Sequence, residues 1–285
     1  HIMAKKRLAT NPPISENEKN TNIFANPVIR KLNKVTERAA EGEGATYSGI
    51  TIKTVFFLLV TIGGIALYYL LQAFYFSGLP QEQVISDDIA FSFSMVEILF
   101  VLAALVFTIA IPILTMFVHK GIPFTGSLYS VSQGFLLGWV IEKLLGGYEW
   151  IAWAALGITI LLVAIMAVLY TARIIKVTKK FRTILTVLFV TMIFSSLACV
   201  VFYFIPATSS IVAAMLNNPV LSIIVAVIGI IIATLFLLVD FDTIEKTVTN
   251  CLPQKYEWVA AFGLAFTVIW IYLKVLDLLM SVNNK

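Results

Sequence analysis

Long apolar runs broken by short polar turns follow one another from residue 52 to the end of the chain, and no two-residue alternation organises them. A membrane-spanning helix needs about 20 predominantly apolar residues. Seven stretches meet or approach that length: residues 52–76, 89–117, 124–141, 150–174, 183–205, 220–239 and 258–282. The third is short and carries glycines. Backbone polar groups cannot stay open in hydrocarbon, and without the alternation of a barrel strand the runs are predicted as helices. The pattern therefore predicts an all-α, polytopic membrane protein with a polar tail over residues 1–50 and a seven-helix domain over 51–285.

Composition agrees. A chain that is 60% hydrophobic and 13% charged lies outside the range of soluble domains. No apolar run precedes residue 50, so no cleavable leader is expected and insertion would begin with the first span. Lysine and arginine gather in the tail and in the segments 118–123, 171–182 and 241–257, whereas 77–88 and 206–219 have none and 142–149 has only Lys143. The positive-inside rule then predicts a multi-pass protein of the cell (plasma) membrane with its N-terminus cytoplasmic and its C-terminus outside. The net charge of +4 reflects this asymmetry, and no nucleic-acid partner is read from it.

The tail contains one patterned segment, NPVIRKLNKVTER. Asn26 suits an N-cap and Pro27 the first helical position, with Val28, Leu32 and Val35 on one face and Arg30, Lys31, Lys34 and Arg38 around the rest. A short helix over 26–38 lying on an anionic leaflet and a solvated basic stretch fit this pattern equally.

Candidate chemistry lies where charge meets lipid, because a charge at the bilayer centre costs about 2.5–3.5 kcal/mol on insertion scales. Glu97 falls in SFSMVEILF of the second span, Asp240 and Asp242 close the sixth, and Lys274 and Asp277 lie in IYLKVLDLL of the seventh. Two residues apart on a helix, Asp240 and Asp242 point to nearly opposite sides. Only one is expected to face the bundle: Asp240 reads as the functional acid and Asp242 as a solvated helix end. Lys274 and Asp277 are spaced for a local i, i+3 pair. Apart from His1, His119 is the only histidine, and the chain has no P-loop, no GxSxG elbow and no HExxH. Neither catalysis, a cofactor nor a bound metal is expected.

The segments NPVIRKL and ATYSGITIKT, then LLVDFDTIEK, then QKYEWVAAFGLAFTVIWIYLKVLDLL resemble the Bax-inhibitor (TMBIM, YccA-like) family of membrane proteins, on its bacterial branch. The resemblance implies seven helices with the last one central, and a pH-sensitive calcium leak gated by two intramembrane acids that share a proton when closed. Asp240 matches the family's acid on the sixth helix. Lys274 stands where the family has its second acid, and Gln133 stands where many relatives carry a glutamate. If the last two helices are symmetric about residue 253, Asp240 lies opposite Phe266, with Lys274 more than about 10 Å further along. Glu97, at the depth of Lys274, is then expected to pair with it. The expected function is a proton-sensitive cation leak carrying calcium through the lipid bilayer. The rival readings are a non-conducting regulator that binds a partner such as a membrane protease, and a proton-coupled transporter of small solutes.

Overall fold

The computed structural model describes residues 44–85, 90–117, 121–203, 205–216 and 218–283. The predicted basic helix over 26–38 lies outside them, as does His119. Among the described residues, eight α-helices follow in order: α1 (Tyr47–Phe74), α2 (Met95–Phe117), α3 (Ile122–Leu144), α4 (Trp150–Thr171), α5 (Lys179–Tyr203), α6 (Pro206–Leu216), α7 (Pro219–Thr249) and α8 (Lys255–Asn283). Five of them, α1, α2, α4, α7 and α8, are long and apolar enough to cross a membrane.

The ends of these helices have local causes. The Thr46 side chain caps α1 by accepting from the Gly49 N–H, and Asn218 caps α7 by accepting from Val220 and Leu221, with Pro219 in the first turn. Helix α7 also runs past residue 239, where the apolar pattern stops, to Thr249. A short antiparallel hairpin, β1 (Glu82–Ile85) and β2 (Ala90–Phe93), precedes α2 and pairs Glu82 with Phe93 and Ile85 with Ala90. The second apolar run therefore holds a strand and then a helix. The expected bare loop at 206–219 holds α6.

Helix α8 is the centre of the bundle. It packs against α7, α1, α4 and α3, and 56% of its apolar window is buried against 28% or less in the other four. Exposed aromatic residues Tyr75, Tyr148, Trp150, Trp153 and Tyr203 lie at or near helix ends, where aromatic side chains commonly line a membrane interface.

Helix α3 is more polar than its neighbours because most of it is enclosed. Gly126, Ser130, Gly134 and Gly138 recur every four residues along it. A Cβ on Gly134 would collide with the Thr61 carbonyl oxygen of α1, and one on Gly64 with the Val131 carbonyl oxygen of α3. Small residues here let two parallel backbones touch, with Phe57 and Tyr68 of α1 filling the space beside Gly126 and Gly138. Gly134→Val is expected to cost about 3 kcal/mol through overpacking. A melting midpoint in detergent equal to that of the unaltered protein would contradict this contact.

Candidate functional site

Asp240 and Asp242 sit within α7 rather than at its end, and their two-residue spacing sends them to different neighbours. Asp240 accepts a hydrogen bond from the Thr267 hydroxyl of α8, and its Oδ1 lies over Gly263 of the same helix. Its Oδ2 is shielded from solvent and has no hydrogen-bond partner among the described residues. Asp242 turns toward α5 and pairs with Arg182, while Lys246 reaches the same carboxylate at 3.0 Å. Arg182 is only 7% exposed, so Asp242 is the counter-ion of a buried guanidinium and not a solvated helix end. Asp240 also lies within electrostatic reach of Arg182. Two carboxylates and one arginine thus tie α5, α7 and α8 together near one end of the bundle.

The register between α7 and α8 follows the antiparallel symmetry expected of them. Asp240 meets Gly263 and Thr267, Gly229 meets the Lys274 stem, and Ser222 shares a hydrogen bond of 2.9 Å with Ser281. Lys274 thus lies far along α8 from Asp240. Its amine pairs with Asp277 at 3.7 Å, and its stem lies so close to Gly229 that a Cβ there would come within 2.9 Å of Lys274 Cδ.

Glu97 forms a second centre, and its partner differs from the expected one. It is fully buried, accepts from the Tyr68 hydroxyl of α1 at 2.9 Å, and has Lys143 Nζ of α3 at 3.4 Å. The Glu97 N–H donates to Ser94 Oγ and the Ser94 N–H to the Glu97 carboxylate, at 3.1 and 3.4 Å, which is the reciprocal capping box of S-x-x-E. Lys143 also donates to the Ser92 carbonyl at 2.8 Å and so ties the hairpin to the centre. The expected Glu97–Lys274 pair is corrected by helix neighbours: α2 packs chiefly on α3, which carries Lys143, and Lys274 faces α7.

A third charged centre joins the N-terminal ends of the bundle's first and last helices. Glu257, fully buried in the first turn of α8, pairs with Lys53 of α1 and accepts from the Thr46 N–H at 2.7 Å and the Thr46 hydroxyl at 3.1 Å. Lys53 also stands over the Trp258 ring at 5.2 Å. The root of the tail is held here too, since Gly44 bridges Pro253 and the Ala45 N–H donates to the Leu252 carbonyl. The signal in the sequence is a lysine just inside the first span and a glutamate just before the last, at the same end of the bundle. Beside the Asp240 centre, Tyr170 of α4 donates to Glu245 of α7, and Arg173 lies 3.7 Å from the same carboxylate.

Among the described residues, no three histidine, cysteine or acidic side chains converge as a metal site. What the Asp240 centre offers is a single desolvated carboxylate with one free oxygen, next to a hydroxyl and a fixed positive charge. Such a group can exchange a proton or meet a passing cation. A family model described as Bax inhibitor 1 like matches residues 26–284. No curated protein matches the chain.

Proposed function

The chain belongs to the Bax inhibitor 1 like family, and from that premise we propose that this membrane protein is a proton-sensitive leak pathway for cations, with calcium as the ion carried. The observation that carries the reading is the shielded Asp240 Oδ2, which has no partner among the described residues although the carboxylate lies against the central helix. A bare carboxylate oxygen inside a bundle is costly unless a proton, a cation or water meets it. Calcium prefers such hard oxygen donors. With a proton on Asp240 the site is neutral and the path closed. When the proton leaves, the carboxylate draws on Arg182 and on an arriving cation, and the α7–α8 contact loosens. The charged groups around Asp240 are Arg182 from α5 and, on its own helix, Asp242, which binds Arg182 and Lys246.

The direct test is calcium entry into liposomes made with the purified protein. Entry well above that of protein-free liposomes, rising with pH, supports the leak. Entry no faster than the bare lipid favours the non-conducting regulator, for which the anchoring of the tail root at Thr46 and Glu257 offers a structural basis.

The proposal includes seven crossings, with α3 and α5 spanning beside the five more apolar helices, in a plasma membrane with a cytoplasmic N-terminus. Segregation of basic residues into alternate segments supports this orientation. With Cys199 and Cys251 replaced by serine and either Thr178→Cys or Val84→Cys introduced, an impermeant thiol reagent is expected to label the first only from the cytoplasmic side and the second only from outside. Labelling of both from one side would overturn the topology.

A further inference from the structure

Helix α3 carries a buried oxygen that nothing so far explains. Gln133 is 4% exposed, and its Oε1 is shielded and without a hydrogen-bond partner among the described residues. An unpartnered amide oxygen inside a packed bundle is unfavourable and calls for a partner. Its direction is fixed by the residues one turn away on the same face. Tyr129 packs its ring on Phe262 and Phe266 of α8, at centroid distances of 5.5 and 5.6 Å. Leu137 joins the apolar cluster that contains Ala233 and Leu237 of α7 and Ile271 of α8. Gln133, between them, faces the centre of the bundle at the depth where α8 runs from Phe266 to Ile271. The glycine contacts with α1 hold α3 in that rotation.

Asp240 reaches α8 at Gly263 and Thr267, at nearly the same depth and from the neighbouring helix α7. Two shielded oxygens with no described partner, Asp240 Oδ2 and Gln133 Oε1, therefore flank the central helix at one level. Thr267, 4% exposed, stands there too, and its hydroxyl oxygen keeps lone pairs after donating to Asp240.

We infer that Gln133 is a second oxygen donor to the cation that meets Asp240, so that the ion is shared between an acid on α7 and a neutral amide on α3. The inference rests on the leak reading for the position of the ion at Asp240. Carboxylate, amide carbonyl, hydroxyl and water together make a hard oxygen set of the kind calcium accepts. One carboxylate with neutral partners gives a weak site, since affinity follows the number of charged ligands. Weak binding suits passage, which requires that an ion leave as readily as it enters.

The test compares the unaltered protein with Gln133→Leu, Gln133→Glu and Asp240→Asn in two measurements: the shift of the melting midpoint in detergent on adding calcium chloride, and calcium entry into liposomes. Replacing the amide by leucine removes one buried, unsatisfied oxygen, so the calcium-free midpoint is expected to hold or rise. The calcium concentration needed for half of the stabilisation is expected to rise about tenfold, equivalent to about 1.4 kcal/mol, with slower entry. Gln133→Glu adds a charged ligand and is expected to lower that concentration. A calcium response in Gln133→Leu equal to that of the unaltered protein, whether or not its midpoint falls, would make Gln133 structural and overturn the inference. Calcium stabilisation that depends on Gln133 and Asp240 in a protein that carries no calcium would overturn the leak and uphold the site. No calcium stabilisation and no entry in the unaltered protein would overturn both.

Discussion

Glu97→Leu is expected to destabilise the fold by about 3–5 kcal/mol, the cost typical of removing one partner from a buried ion pair. The carboxylate is fully buried and serves three helices at once. It takes the Tyr68 hydroxyl of α1, faces the Lys143 ammonium of α3, and closes the first turn of its own helix through Ser94. Without it, a 7%-exposed lysine keeps its charge with the Ser92 carbonyl as its remaining described partner. The second substitution is the more informative one. Adding Lys143→Met removes the stranded charge and should recover much of the loss, because a buried ion pair often contributes little beyond an apolar pair of similar size. Adding Lys274→Met instead should recover nothing. A double-mutant cycle on thermal unfolding in detergent would separate these outcomes. Coupling of Glu97 to Lys274, with none to Lys143, would contradict the arrangement of α1, α2 and α3 described above.

That pairing also marks where sequence reading stopped. Depth along the membrane can be counted residue by residue, and Glu97 and Lys274 were placed at one level on that basis. Which helices are neighbours cannot be counted in this way. The apolar pattern of α3 fades at residue 141 and puts Lys143 in a loop, whereas the helix continues to Leu144 and carries the lysine inward. The same arithmetic succeeded for α7 and α8, which one turn joins as an antiparallel pair. Asp240 was expected opposite Phe266 and is found at Gly263 and Thr267.

Other departures have physical causes of the same kind. Residues 90–93, Ala-Phe-Ser-Phe, are mostly apolar and run directly into the helix that follows, so the sequence pattern merges the strand with the second span. The acids after residue 239 looked like an exit into water. They stay helical, with Arg182 and Lys246 answering Asp242 and the hydroxyls of Thr243 and Thr247 donating to carbonyls one turn back. Arg182 was counted only as one of the basic residues of its loop. Its burial comes from packing, which a charge tally does not register. The glycines of α3, which made that span look weak, are what bring it against α1.

On the proposed reading, Asp240 senses protons on a cation path. Asparagine at this position copies the neutral, protonated side chain in size and charge and can still accept from Thr267. Its amide cannot ionise, so position 240 no longer changes charge with pH. The substitution is not expected to unfold the protein, because it introduces no new charge and fills the same space. The decisive measurement is therefore calcium entry into liposomes across a series of external pH values, for the unaltered protein and for Asp240→Asn, with the folded fraction of each checked by thermal unfolding. Entry is expected to rise with pH in the unaltered protein and to follow a slow, nearly flat profile in Asp240→Asn. A folded Asp240→Asn protein whose calcium entry keeps the rate and pH dependence of the unaltered one would contradict that reading.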